Sequence, residues 1–149
     1  MRIDVDVRAF KQERCCWIMS VYNNILLPVD GSQQSIDAFK SGIQLAKKMD
    51  SKVYLVLVLR NAKNETTNKK RETFLESLGN FASAEGVTVQ KELIYGDPRT
   101  QIADVLVKRW SIDLILMGAT GKGRIAKMTI GSVTEYVLSH AKCAVLISR

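Results

Sequence analysis

The chain has one histidine, two prolines and three cysteines, and each scarcity closes off a class of chemistry. His140 lies near the end of a helical pattern, where it complements the helix dipole, and no Ser-His-Asp or Cys-His arrangement can be built on it. That excludes the common nucleophilic triads but not every hydrolase. Cys15 and Cys16 are adjacent and Cys143 is distant, so no disulfide framework is implied and a reducing cytoplasm is expected. Cys143, just before the last apolar run, reads as a small buried residue. With no Cys-x-x-Cys spacing and a lone histidine, zinc is not expected. No apolar run reaches the roughly 18 residues of a membrane span. The net charge of +7 is spread along the chain without an aromatic-interleaved basic patch, so a dedicated nucleic-acid partner is not expected.

What is present fits one soluble domain. Hydrophobic residues make up 46% and charged residues 25% of 149 residues, a chain long enough to bury roughly two thirds of its unfolded surface. Residues 1–20 mix both charge signs without a helical or strand face and read as an extension outside a domain of residues 21–149. Met19 stands just before the first strand, where an alternative start would fall. From there apolar runs alternate with helical patterns. Asn24 to Val29, Val53 to Leu59, Asp113 to Met117 and Ala144 to Ser148 are near-continuous, as strands covered on both faces are, while Val87 to Ile94 alternates like an edge strand. Between them lie four helical patterns. Ile36, Phe39, Ile43, Ala46 and Met49 mark the first, and Phe74, Leu75, Leu78, Phe81 and Ala82 the second. Asp97 as N-cap with Pro98 at the first position opens the third, whose expected buried face is Ile102, Val105, Leu106 and Trp110. The fourth turns Val133, Val137 and Ala141 inward. The polar stretch Asn61 to Lys70 lacks periodicity and is expected to be a mobile loop. The fold class is therefore α/β, an open parallel five-stranded sheet with helices on both faces, whose ligands bind at the carboxyl ends of the strands.

A glycine pattern lies at that edge. Gly118-Ala119-Thr120-Gly121 is followed by nine residues and then Gly131-Ser132 at a helix start. Such a loop brings backbone N–H groups near a ligand, the helix N-terminus adds a positive dipole end, and Lys122, Arg124 and Lys127 add charge, all of which suit a phosphate. Ser132 and Glu135 also fit a capping box, and Asp30 could cap the first helix, readings that need no ligand. Gly121-Lys122-Gly123-Arg124-Ile125-Ala126 imitates a dinucleotide fingerprint but lacks the acidic residue at the end of a next strand, and Gly-x-x-Gly-Lys is too short for a P-loop.

With Ile25-Leu26-Leu27-Pro28-Val29-Asp30-Gly31-Ser32, Gly96-Asp97-Pro98, and Gly118-x-x-Gly121-(nine residues)-Gly131-Ser132 followed by Glu135 and Val137, the chain resembles the universal stress protein family over residues 22–149. The resemblance implies a strand order of 3-2-1-4-5, a homodimer, and ATP held between strands 1 and 4, with or without Mg2+. It implies that Asp30 meets the nucleoside, that backbone at Val58 meets adenine, and that Gly118, Gly121, Gly131 and Ser132 hold the phosphates. Pro28, Val29, Met117, Lys122, Gly123, Arg124 and Val133 complete the candidate site, with no catalytic residue and no metal ligand. The apolar Val145, Leu146 and Ile147 make the last strand the expected dimer edge. The function implied is a nucleotide-dependent stress-response switch acting on an unidentified protein partner. A slow ATP hydrolase or phosphotransferase in the same pocket, or a nucleotide-free interaction module, are the alternatives.

Overall fold

The computed structural model describes residues 22–62, 64–120 and 130–149; the N-terminal segment expected to lie outside the fold, and Gly121, Lys122, Gly123, Arg124 and Lys127 of the glycine loop, are outside the described residues. Five strands, β1 (Asn24–Val29), β2 (Lys52–Leu59), β3 (Val89–Tyr95), β4 (Leu114–Gly118) and β5 (Ala144–Ser148), form one sheet of order β3-β2-β1-β4-β5, and every pairing is parallel. The order matches the expectation, with β3 and β5 as edges. It reverses direction between β1 and β4, which makes their carboxyl ends the switch point of the sheet.

Alternation along each strand divides the core in two. Ile25, Leu27, Val53, Leu55, Leu114 and Leu116 point to one face, where they pack on α1 (Gln33–Met49) and α2 (Glu65–Ala84). Leu26, Tyr54, Val56, Ile115 and Met117 point to the other, against a third and a fourth helix. The third, α3, is α-helical over Pro98–Thr100, π-helical over Gln101–Val105 and α-helical again over Leu106–Arg109. The fourth, α4, is Ser132–His140. Among the described residues no helix is long and apolar enough to cross a membrane.

Four local expectations need correction. The polar stretch from residue 61 is not loop throughout, because Asn64 caps α2 by accepting the Thr67 amide at 3.0 Å and the helix begins at Glu65. Its first turns are not buried, the buried stripe starting only at Leu75, so no apolar period announced them. In α3 the Leu106 amide donates to the Gln101 carbonyl, five residues back, and the extra residue in that turn moves Val105 out to 44% exposure while Ala103 goes in at 2%. The capping box is absent: Gly131 is the N-cap of α4, Ser132 is already helical, and among the described residues no side chain caps the turn. Cys143 is only half-buried, and that burial pushes its thiol above the usual range.

Candidate functional site

The site begins where β1 and β4 part. Their registered pairs are Ile25↔Leu114 and Leu26↔Ile115, and Pro28, which has no N–H to donate, lies beyond them. Both strands run on, β1 to Val29 and β4 to Gly118, and a cavity of about 310 Å³ lies at their ends on the α3 and α4 face. A space of that size suits a small ligand.

On the β1 side the chain turns sharply into α1. Gly31 takes a φ of +86°, which a residue with a side chain rarely adopts, and the Asp30 carboxylate accepts the Ser32 amide at 2.9 Å. The helix cap itself is Ser32, whose hydroxyl accepts the Ser35 amide at 3.2 Å, while the Ser35 hydroxyl donates to the Ser32 carbonyl. Asp30 is thus a turn residue at the cavity wall rather than the cap of α1.

On the β4 side, Gly118 ends the strand against α1: a Cβ there would lie 3.1 Å from the Gln34 carbonyl oxygen. The stem after it is held closely. The Ala119 amide donates to the Ser148 carbonyl at 3.0 Å, and the Gly131 amide donates to the Ala119 carbonyl at 2.8 Å. The buried Thr134 hydroxyl donates to the Gly118 carbonyl at 3.0 Å. These bonds aim the first turn of α4 at the cavity. Ser32, Asn64 and Asp97 each accept a first-turn amide of their own helices, whereas among the described residues α4 has no side-chain cap. Its first-turn N–H groups have no intrahelical acceptors, and the positive end of the dipole lies with them.

The cavity brings together Pro28, Val29, Asp30, Val58, Met117, Gly118, Gly131, Ser132 and Val133 of the candidate site. The remaining candidates, Gly121, Lys122, Gly123 and Arg124, are outside the described residues. Ser35, Pro98, Ile102, Thr120 and Thr134 also line it, beyond the residues that the sequence marks for the site. Two of them had a signal in the spacing: Ser35 and Thr134 each stand three residues after a helix cap, on the turn that faces the same edge. Pro98 sits within Gly96-Asp97-Pro98 and Thr120 within the glycine pattern, while Ile102 had been assigned to the core alone. The arrangement offers an apolar wall from Pro28, Val58, Pro98, Ile102 and Met117 and a polar end of hydroxyls and helix amides. That is the chemistry of a flat apolar group joined to an anion. No cluster of three or more potential metal ligands exists among the described residues.

Residues 21–149 match the model of the universal stress protein family. A universal stress protein of Methanocaldococcus jannaschii is 30% identical over 141 residues, covering 86% of this chain and 82% of its own. Among solved structures, the universal stress protein UspA from Lactobacillus plantarum superposes with a TM-score of 0.79 at 26% identity, over 87% of this chain and 99% of the other. A universal stress protein from Archaeoglobus fulgidus in complex with dAMP superposes with a TM-score of 0.69 at 19% identity, over 87% of this chain and 99% of the other.

Proposed function

Because the chain belongs to the universal stress protein family, we propose that it binds an adenine nucleotide at the ends of β1 and β4 and works as an ATP-dependent stress-response switch. The observation that carries this reading is the uncapped N-terminus of α4 lining a cavity at the switch point of the sheet. The apolar wall suits a base, Asp30 suits a sugar hydroxyl, and Gly118, Gly131 and Ser132 suit the phosphates, with the basic loop residues Lys122 and Arg124 adding charge. The fold relative from Archaeoglobus fulgidus holds dAMP, a ligand of the same class.

The same cavity argues against fast turnover. Phosphoryl transfer needs an oriented nucleophile and a metal held against the phosphates. Asp30 is the one ionisable side chain among the described lining residues, and its carboxylate is engaged by the Ser32 amide. Nucleotide released by denaturing the purified protein and identified by mass spectrometry should be adenine-based, and calorimetry should show ATP binding. Phosphate release with magnesium should stay well below about one per second, the low end of ordinary enzyme turnover. Absence of any adenine nucleotide binding would overturn the reading, and turnover at or above that rate would move the protein into the enzyme class.

We further propose that two copies pair through β5, an edge strand on which Leu146 is 47% exposed. Light scattering at micromolar concentration should give a dimer. A monomer there contradicts the pairing.

A further inference from the structure

Two parts of the cavity wall that lie far apart in sequence meet at one exposed side chain. Gln34, in the first turn of α1, accepts the Thr120 amide at 3.0 Å and also accepts the Thr120 hydroxyl, both at Oε1, across 86 residues of chain. The orientation of the amide group is fixed by its partner: a backbone N–H requires an acceptor, so the oxygen and not the NH2 faces Thr120. Both lone pairs of that oxygen are then engaged. Thr120 itself is 5% exposed and lines the cavity. The main-chain carbonyl of Gln34 lies against Gly118, so one residue touches both the end of β4 and the stem beyond it.

The other bonds on the stem run elsewhere. Ala119 is tied to Ser148 of β5 and to Gly131 at the start of α4, which holds the stem to its own half of the sheet. Gln34 ties it to the β1 half, where Asp30 and Ser32 shape the opposite wall. Its loss takes the acceptor from the buried Thr120 amide and hydroxyl and lowers stability locally, but α1 keeps its Ser32 cap and the two core clusters are untouched, so the variant should still fold.

We infer that Gln34 is a positioning residue for the anion end of the cavity, setting through Thr120 the separation between the Asp30 wall and the first turn of α4. The inference rests on the adenine-nucleotide reading above. Because the Thr120 hydroxyl hydrogen is directed to Gln34, the hydroxyl offers lone pairs to its surroundings, and its contribution to a phosphate is geometric rather than as a donor.

The test compares Gln34→Met, of similar length but without an acceptor, with Gln34→Glu, which keeps an oxygen in place. ATP and adenosine affinities are measured by calorimetry, and exchange of the Thr120 amide is followed in the free protein. Gln34→Met, which removes both bonds from Thr120, should weaken ATP about tenfold while leaving adenosine within about twofold. The Thr120 amide should exchange faster in Gln34→Met and stay protected in Gln34→Glu. Wild-type ATP affinity in Gln34→Met, or an equal loss for adenosine and ATP, overturns the inference and leaves the nucleotide reading standing. Wild-type protein that binds neither ligand overturns the nucleotide reading, and the inference with it.

Discussion

The two faces of the sheet share the same strands and differ in their helices. One face is covered by α1 and α2, regular helices of 17 and 20 residues whose caps are both made by side chains. Every strand residue from β1, β2 and β4 in its core cluster is at most 5% exposed, and Phe39 and Phe81 close the space between the two helices with ring centroids 6.1 Å apart. The other face is covered by α3, interrupted by a π turn, and by α4, nine residues long with no side-chain cap. Its core is as dry at Leu26, Val56 and Ile115 but opens into the cavity beyond Pro28, Val58 and Met117. Regular helices leave no room at the end of a sheet, whereas a shortened or interrupted one does. The irregular face is thus where a ligand can enter.

The largest effect expected from that division is on the regular face. Leu27 is fully buried, packed between the sheet and α1, where even the Cα of Gly42 is so near that a Cβ there would lie 2.5 Å from Leu27 Cδ2. Leu27→Ala should cost about 3–5 kcal/mol in urea unfolding, through lost transfer energy and the cavity left behind. Nucleotide affinity of the molecules that remain folded should be unchanged. An equal loss of affinity would show that the two faces are not separable.

The reverse pattern is expected on the irregular face. Gly131 has φ −66° and ψ 151°, a conformation any residue adopts, so Gly131→Val introduces no backbone strain. Because Gly131 is buried, the added side chain should cost about 1–3 kcal/mol, as overpacking does, which is less than the loss at Leu27. The added side chain occupies space beside the first turn of α4, and ATP binding should be abolished in calorimetry. Unchanged affinity in a folded variant would show that the anion end of the site is wrongly assigned.

The contrast between faces also explains what could be read without a structure. β1, β2 and β4 were legible because burial on both sides leaves near-continuous apolar runs; β5 also begins and ends where its run does, although it is an edge strand with no buried residue. The regular helices were legible wherever they bury a stripe, as from Leu75 onward, and illegible where α2 extends into solvent before it. Glycine and proline marked the site, since Gly31, Gly118 and Gly131 stand at its turns and Pro28 where β1 and β4 part. The hydroxyls of Ser35 and Thr134 carry a weaker mark, their place three residues after a helix cap, because a small polar residue at a helix start is equally an ordinary surface residue. The π turn was illegible for a stronger reason: apolar residues at 102, 105 and 106 fit an α-helical stripe, and nothing in that spacing signals an extra residue in the turn.

The smallest expected effect tests that turn directly. If α3 were α-helical throughout, Val105 would face the sheet with Ile102 and Leu106, and a charge there would be buried without a partner at a cost of several kcal/mol. With the π turn, Val105 is 44% exposed and its place in the core is taken by Ala103, at 2%. Val105→Lys should therefore change stability by about 0.5 kcal/mol or less, as surface substitutions do, and Ala103→Lys should be severely destabilising. Val105 is the substitution whose expected outcome changes between the two registers, since Ala103 stands three residues before Leu106 and borders the buried stripe in either. A loss of more than about 2 kcal/mol in Val105→Lys would restore the α register. The wall that Ile102 presents to the cavity would then have to be redrawn, because the same extra residue that turns Val105 outward orients the stretch from which Ile102 reaches the site.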